Sequence, residues 1–248
     1  MSTQEVKVEV KDMTKKFGDL LVLDKMNFEV KKGEFLVVVG PTGCGKTTFL
    51  NSLTGIYDIT EGEILVNGEK VDKKKHNISY IFQESSAMPW LTIEENVGFG
   101  LKIKRMQKSK IKEKVDEVLK IVGLYDFRHY YPQQVSTSMV QRIAIARAFA
   151  TEPELLLMDE PYGQLDIDLR FRLEDELLKL WEKTGTTVIF ITHNVEEAVY
   201  LSENIMVLTN KPTTVKKVVK NHLPLPRDVM SLEFVQLRDE ITELIKWW

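Results

Sequence analysis

The sequence is poor in the features that mark several large classes of protein. Its one cysteine, Cys44, has no partner for an intrachain disulfide, so we expect a reducing cytosol as the compartment. No apolar run approaches the roughly 18 residues that a bilayer-spanning helix needs, so we expect no such helix. The segment Met1–Glu5 is not apolar, so we do not expect a signal segment there. The formal net charge is −3, so no basic field draws the chain to nucleic acid or to an anionic membrane.

What is present is typical of a globular α/β protein. The 248 residues are 43% hydrophobic and 29% charged, and they suffice for one large domain or two small ones. Apolar strand patterns alternate with helical patterns, which indicates a parallel sheet with crossover helices. Between about Glu84 and Ala150 the periodicity is mostly helical, so we predict a helical insertion between β-rich parts.

The segment Gly40–Thr48 has the pattern G-x-x-x-x-G-K-[ST]. It follows the apolar run Phe35–Val39 and precedes a predicted helix, which is the context of a phosphate-binding loop. Glycines let successive N–H groups face a phosphate, and the helix start adds further N–H groups. Lys46 would reach the β- and γ-phosphates, and the Thr47 hydroxyl would bind Mg²⁺. The residues predicted to bind a nucleoside triphosphate here are Gly40, Pro41, Thr42, Gly43, Cys44, Gly45, Lys46, Thr47 and Thr48.

Polar residues follow three other apolar strand patterns. Asp159 and Glu160 directly follow the apolar run Leu155–Met158, which is a predicted strand. In open parallel sheets, ligands bind beyond the carboxyl ends of the strands. Asp159 would hold Mg²⁺ through water, and Glu160 would polarise the attacking water. Gln83 would touch the metal or its water, and His193 would donate to the γ-phosphate. The predicted metal ligands are Thr47, Gln83 and Asp159, and the predicted catalytic residues are Glu160, His193 and Gln83.

With these motifs in place, the sequence resembles the ATP-binding subunit of an ATP-binding-cassette (ABC) transporter from about Val6 to the C-terminal helix. Gly40–Thr48 is similar to the Walker A loop, Gln83 to the Q-loop residue, and Leu155–Glu160 to the Walker B strand with its glutamate. Gly163–Asp166 is similar to the D-loop, and His193 to the switch histidine.

The resemblance implies a fold and further binding residues. It implies an α/β P-loop ABC ATPase core with an antiparallel β part and an inserted helical subdomain, all in a single domain. The expected bounds are 1–83 and 151–222 for the core, 84–150 for the helical subdomain and 231–247 for a final helix capped by Ser231. Two such cassettes would sandwich two ATP molecules with Mg²⁺. The further residues implied in ATP binding are Phe17, which would stack on adenine, and Ser136, Thr137, Ser138 and Asp166.

Several stretches are most similar to the importer subfamily for nitrate, aliphatic sulfonates and taurine. This implies a subunit that powers the import of a small anion or organosulfur solute from the cytoplasmic, inner face of the membrane. Its partners would be membrane permease subunits, a second cassette and, indirectly, an extracytoplasmic solute-binding protein. The stretches are Phe82–Glu84, Met88–Trp90, Tyr131–Gln134, His193–Ala198 and Leu223–Arg227.

The loop Ser85–Leu91 carries large apolar side chains and allows two interpretations. Met88 and Trp90 either pack on helices of this chain or line a groove for a short cytoplasmic helix of the permease, as the resemblance implies. An aromatic residue and a methionine suit such an anchoring surface.

One motif departs from the family pattern. The signature Leu-Ser-Gly-Gly-Gln corresponds here to Val135–Met139, which keeps the serine and replaces both glycines by Thr137 and Ser138. We expect the following helix to start near Met139. If either replacement needs a left-handed backbone, the cost is roughly 1–2 kcal/mol, or about tenfold in rate. The departure suggests an asymmetric pair with a second cassette whose signature is intact, whereas a homodimer would instead carry two weakened sites.

Three other functions compete with this interpretation. A regulatory cassette that closes on ATP with little hydrolysis is favoured by Thr137 and Ser138, whereas Glu160 and His193 favour the enzyme. A GTPase has little support, because Asn210–Thr213 starts like a guanine-reading Asn-Lys-x-Asp motif but lacks the aspartate. A nucleic-acid-associated ABC protein would need a second cassette, a long coiled coil or a basic stripe, and the sequence has none of these.

Overall fold

The structure of the protein is a computed structural model that describes residues 5–72, 74–84, 86–163 and 167–246. The strands in these residues are β1 (Val6–Phe17), β2 (Leu20–Lys31), β3 (Phe35–Val39), β4 (Glu61–Val66), β5 (Glu69–Lys70), β6 (Ile78–Ile81), β7 (Leu155–Asp159), β8 (Thr187–Ile191), β9 (Asn204–Leu208) and β10 (Val215–Lys220). The helices are α1 (Lys46–Leu53), α2 (Ile93–Ile103), α3 (Lys108–Ile121), α4 (Thr137–Ala150), α5 (Ile167–Thr184), α6 (Val195–Leu201) and α7 (Leu232–Ile245), and 3-10 turns cover Tyr125–Phe127 and Pro132–Gln134.

The chain forms two compact units. The first contains the residues up to Ile78 and those from Thr187 onward, and the second contains Ser79–Thr186. Within the described ranges, no helix combines the length and the apolar character that crossing a bilayer requires. The single domain and the subdomain bounds expected from the sequence remain predictions.

The first unit contains the antiparallel β part. Its strands follow the order β2–β1–β4–β5, and β1 pairs antiparallel with both β2 and β4. Val8, Val10 and Met13 of β1 are fully or almost fully buried. Lys7 is also buried, and its ammonium donates to Oδ1 of Asn67 at 2.9 Å, so this polar side chain keeps a hydrogen bond inside the unit.

The same unit contains a run of strands in the order β10–β9–β3–β8. Strand β3 pairs parallel with β8 and with β9, and β10 pairs antiparallel with β9. All residues of β3 and β8 are buried, as expected of parallel strands covered on both faces. Strand β5 is only two residues long and lysines interrupt the apolar residues of β10, so neither has a clear strand pattern in the sequence.

Helix α7 closes this unit. The Ser231 hydroxyl accepts a hydrogen bond from the Phe234 N–H at 3.3 Å, which confirms the predicted N-cap. Phe234 and Ile241 are fully buried on one face of the helix, which packs against α6 and β9.

The second unit is mostly helical. Helix α4 packs against α2, α3 and α5 and is buried on most of its sides, because its residues from Ile143 to Ala150 are mostly small and apolar. Helix α2 begins with a capping box in which the Thr92 hydroxyl and the Glu95 carboxylate each accept a hydrogen bond from the other residue's N–H. Strands β6 and β7 of this unit are neighbours.

Candidate functional site

The phosphate loop joins β3 to α1 in the first unit. Gly43 and Gly45 have φ angles of 77° and 112°, which are strained for any residue with a side chain. A Cβ atom at Gly45 would also lie 2.8 Å from Cγ1 of Val22. Glycine is therefore required at position 45 both by the backbone and by the neighbouring side chain. The loop keeps the bare backbone that a phosphate group can approach.

Lys46 is the first residue of α1 and is 6% exposed. Its ammonium donates to the carbonyl oxygens of Gly40 at 3.1 Å and Pro41 at 3.3 Å, so the charge is held within the loop. A buried cation at a helix N-terminus, framed by glycines, fits an anionic phosphate chain. Thr47 is exposed beside it, where its hydroxyl is accessible to a metal ion.

His193 lies at the same edge of the strands as this loop. Strands β3 and β8 run parallel, with Val38 paired to Ile191, and the Thr192 N–H donates to the Val38 carbonyl at 3.2 Å. Both strands therefore end together, and the exposed His193 follows directly after Thr192. The structure thus brings the switch histidine and the phosphate loop to one edge.

Phe17 ends β1 and is 43% exposed, which leaves ring surface accessible for stacking. Its ring centroid lies 5.5 Å from that of Tyr57 in an edge-to-face arrangement, and the Lys15 ammonium lies 4.6 Å from the Phe17 centroid. Tyr57 and Lys15 are absent from the predicted site, because neither belongs to a motif that is visible in one sequence.

The second unit contains the two acidic residues. Asp159 is the buried last residue of β7, and the Tyr80 hydroxyl of β6 donates to its Oδ2 at 3.3 Å. Glu160 is half-buried and has a φ angle of 45°, which is uncommon for a residue with a side chain. Such strain concentrates at functional positions. Gln83 is exposed just after β6. Tyr80 has no predicted role, yet it hydrogen-bonds to the proposed metal-binding carboxylate.

The predicted magnesium ligands are hydroxyl, amide and carboxylate oxygens, which is the donor chemistry that Mg²⁺ prefers. Among the residues that the structure describes, no group of three or more His, Cys, Asp or Glu side chains could hold a metal ion by itself. Asp166, predicted to contact ATP through the D-loop, lies outside the described residues.

The signature segment corrects one expectation. Helix α4 begins at Thr137, two residues before the predicted start, and Ser136 is its N-cap with a hydroxyl that accepts from the Met139 N–H at 3.4 Å. Thr137 and Ser138 are therefore first-turn helical residues, and neither has a positive φ angle. The left-handed strain considered for them is absent, because helix residues with side chains need no such backbone.

The loop Ser86–Leu91 is anchored by side chains that the sequence patterns do not single out. Asn96 is fully buried, donates to the carbonyls of Met88, Leu91 and Thr92 at 3.0 Å each, and accepts from the Met88 N–H at 2.7 Å. Arg147 of α4 donates to the Ser86 carbonyl at 2.8 Å and to its hydroxyl. The loop is thereby tied to the signature helix. Ser85 lies outside the described residues.

Trp90 is 71% exposed, so most of its side chain is not covered by this chain. Met88 is half-buried and lines a cavity of about 290 Å³ together with Tyr80 and Phe99. Of the two interpretations of this loop, the structure supports self-packing for Met88 but not for Trp90.

Comparison with known proteins identifies the family. The profile described as "ABC transporter" matches residues 23–163, which is more than half of the chain. The chain is 44% identical to an uncharacterized ABC transporter ATP-binding protein of Methanocaldococcus jannaschii, over 98% of this chain and 92% of the relative. It is 41% identical to an aliphatic sulfonates import ATP-binding protein of Bacillus cereus, over 96% of this chain and 93% of the relative.

A solved structure gives the same result. A dimeric ATP-binding cassette in a post-hydrolysis state, bound to ADP and phosphate, superposes with a TM-score of 0.75 at 32% identity. The match covers 87% of this chain and 99% of the other. The antiparallel β part, the buried P-loop strand and the helical second unit agree with this fold. The chain therefore belongs to the ABC transporter family, as an ATP-binding cassette that hydrolyses ATP.

Proposed function

We propose that this cassette powers an importer for a small anion or organosulfur solute of the nitrate, sulfonate or taurine type. The observation that carries the proposal is the 41–42% identity to aliphatic sulfonate import ATP-binding proteins over 94–96% of the chain. The regulatory alternative is not favoured, since the family and its cassette neighbours are ATP-hydrolysing. A guanine-specific role has no support in an ATP-binding family.

The proposed chemistry assigns a role to each predicted residue. Lys46 neutralises the β- and γ-phosphates, and Thr47, Asp159 and Gln83 hold Mg²⁺ directly or through water. The metal supplies charge neutralisation when bound. Glu160 accepts the proton of the attacking water, and His193 donates to the γ-phosphate. The buried Lys46 ammonium and the position of Glu160 directly after β7 support these roles.

The proposed partners are permease subunits, a second cassette and, indirectly, an extracytoplasmic solute-binding protein. The cassette would act at the cytoplasmic face of the membrane as a peripheral subunit. Support comes from the importer relatives and from the loop Ser86–Leu91, which presents Trp90 to solvent while Asn96 and Arg147 hold its backbone. A rigid loop with an exposed aromatic residue suits an anchoring surface for a partner helix. Because Arg147 belongs to α4, its hydrogen bonds connect the loop to the helix that follows the signature serine.

The solute and the docking loop can be tested together. The cassette would be reconstituted in liposomes with the permease and the binding protein encoded beside its gene. We expect an alkanesulfonate, taurine or nitrate to stimulate ATP hydrolysis several-fold. We expect Trp90→Ala to remove this stimulation and solute uptake while the isolated subunit keeps its basal ATPase rate and melting temperature. Truncation of an interface hot spot typically costs at least 2 kcal/mol.

Leu232→Ala is the matched control, because Leu232 is also a large exposed apolar residue, at 67% exposure, and lies in α7. This variant should keep both the stimulation of ATP hydrolysis by the solute and the solute uptake. If only unrelated cations or sugars stimulate ATP hydrolysis, the proposed nitrate, sulfonate or taurine class of solute is wrong. If Trp90→Ala keeps solute-stimulated ATP hydrolysis and uptake, Trp90 does not anchor a permease helix. If Trp90→Ala does not fold, the result supports packing of Trp90 within this chain instead.

We further propose an asymmetric cassette pair. Ser138 is half-buried and Thr137 exposed at the first turn of α4, where the family has glycines. In the family this turn approaches the γ-phosphate of the other subunit's ATP, so added side chains crowd it. A partner with an intact signature would complete the site that holds this chain's ATP. The ATP held by the partner would face Thr137 and Ser138 and turn over more slowly.

Restoring both glycines tests this idea. We expect Thr137→Gly with Ser138→Gly to raise the ATPase rate of the native complex about twofold or more but less than about tenfold, because the left-handed strain considered above is absent. The double alanine variant keeps the Cβ atoms and removes the hydroxyls, so it separates crowding from lost hydrogen bonds. A homodimeric native complex with full activity, unchanged by the glycines, would contradict the asymmetric pair.

A further inference from the structure

The segment Asn210–Thr213, which resembles an incomplete guanine-reading motif, lies at the phosphate loop. Strand β9 runs parallel to β3, with Val207 paired to Val39, so both strands end at the same edge. The turn that follows β9 is closed by a hydrogen bond from the Thr209 N–H to the Thr214 carbonyl at 3.1 Å. Asn210–Thr213 therefore emerges beside Gly40–Gly45, and the established motifs of the site give it no role.

Thr213 contacts the loop directly. It is fully buried, and its hydroxyl donates to the backbone carbonyl of Cys44. Its own N–H donates to the Val22 carbonyl at 2.9 Å, and its carbonyl accepts from the Asp24 N–H at 2.9 Å. The backbone of Thr213 is thus held by β2 through both its N–H and its carbonyl, which places the hydroxyl beside the Cys44 carbonyl.

This hydrogen bond determines how one loop peptide is oriented. The Cys44 carbonyl and the Gly45 N–H belong to the same planar trans peptide, in which the two groups point in opposite directions. A carbonyl directed at Thr213 therefore directs the Gly45 N–H away from Thr213. At position 45, with a φ angle of 112°, no side chain limits rotation of the adjacent peptide. The Thr213 hydroxyl supplies the restraint that glycine lacks.

Lys211 adds charge to the same place. It is exposed, two residues before Thr213. Burial raises the pKa of the Cys44 thiol, and the positive charges of Lys46 and, more weakly, Lys211 act to lower that pKa. Lys211 belongs to the same short turn as Thr213, whose hydroxyl contacts the loop, so the turn brings a lysine within two residues of that contact.

We propose that Thr213 is a positioning residue of the nucleotide site, which orients the Cys44–Gly45 peptide for phosphate, and that Lys211 adds positive charge to the loop. The turn Asn210–Thr213 thus serves phosphate binding rather than base recognition. The proposal concerns the nucleotide site alone and does not depend on the solute or on the permease.

The first test uses Thr213→Val, which keeps the shape of a fully buried β-branched side chain and removes the hydroxyl. We expect the dissociation constant for ADP, measured by calorimetry with Mg²⁺, to rise about fivefold to tenfold, because a buried carbonyl loses its donor. Thr213→Ser, which keeps the hydroxyl, should restore binding to within about twofold. For ATP turnover, the KM should rise in Thr213→Val while kcat stays within about twofold.

The single cysteine provides a readout that needs no nucleotide. Cys44 is 2% exposed, so its alkylation by N-ethylmaleimide reports opening of the loop. We expect Thr213→Val to be alkylated several-fold faster than the wild type and Thr213→Ser at the wild-type rate. We expect Lys211→Met to be alkylated about twofold more slowly, because the reactive thiolate loses a nearby positive charge.

Lys211→Met should also weaken ADP binding about twofold to threefold at low salt and less at high salt, as an exposed charge does. Lys220→Met is the control, since Lys220 is an exposed lysine at the end of β10. Equal effects of the two lysine variants would overturn the role of Lys211.

Unchanged ADP affinity and alkylation in Thr213→Val, or a lower kcat with an unchanged KM, would overturn the role of Thr213. If Thr213→Val does not fold, unchanged alkylation in Lys211→Met still counts against the proposal.

Discussion

Lys46→Ala is expected to weaken ATP binding by about 100-fold or more. Lys46 is almost fully buried within the loop, and its ammonium is the cation placed to meet the phosphates. Charge-assisted hydrogen bonds contribute about 1.5–3 kcal/mol each, and an ammonium facing two phosphates makes at least two of them. Isothermal titration calorimetry with ATP and Mg²⁺ measures the loss directly.

Two further variants test whether the loss of ATP affinity is specific to Lys46. Thr47→Ala should weaken the dependence on Mg²⁺ more than the affinity for the nucleotide, because the proposed partner of the hydroxyl is the metal. Lys220→Ala removes an exposed lysine of β10 and should leave the affinity unchanged. If Lys46→Ala binds ATP as tightly as the wild type, the phosphate loop has been assigned to the wrong residues.

Glu160→Gln is expected to lower the rate of ATP hydrolysis by ~10²–10⁴-fold, the usual contribution of a positioned acid or base. Glutamine keeps the size of the side chain and its hydrogen bonding but cannot accept a proton. ATP affinity should therefore be kept, and the ATP-bound closed dimer should accumulate. Single-turnover kinetics and size-exclusion chromatography with ATP separate these two effects.

Glu152→Gln offers a matched control. Glu152 is also a glutamate with a left-handed backbone, with a φ angle of 47°, but it is exposed and pairs with Lys114 rather than following the end of a strand. Its replacement should change the hydrolysis rate by less than about twofold. Hydrolysis by Glu160→Gln at the wild-type rate would remove Glu160 from the chemistry.

The parts of the fold that sequence patterns predict are those in which local composition is decisive. The buried strands β3, β7 and β8 are continuous apolar runs, and helix α4 is small and apolar on most sides. Strand β10 was not predicted, because its sequence VKKVVK alternates too weakly to indicate which face is covered. Helix α4 starts two residues earlier than the sequence predicts, because Thr137 and Ser138 form the first helical turn after the Ser136 N-cap.

The residues of the candidate site likewise fall into those that local sequence patterns predict and those that only the fold brings together. The phosphate loop, Asp159, Glu160 and His193 follow apolar strands in recognisable patterns, so the sequence alone predicts them. Tyr80, Asn96 and Arg147 carry no local signal, since a tyrosine in a strand or an asparagine in a helix is ordinary. Their roles depend on partners that folding brings to them: the Asp159 carboxylate, the backbone of the loop at Met88, and Ser86.

The sequence by itself determined the family, the nucleotide and the residues of the phosphate loop, because a glycine-rich run between a strand and a helix encodes its own backbone geometry. Only the tertiary structure decided that Thr137 and Ser138 are helical, that Trp90 is exposed, and that Thr213 holds the Cys44 carbonyl. Thr213 and Cys44 are 169 residues apart in the chain. Their hydrogen bond exists because β9 and β3 run parallel and end at one edge, which no local pattern of residues specifies.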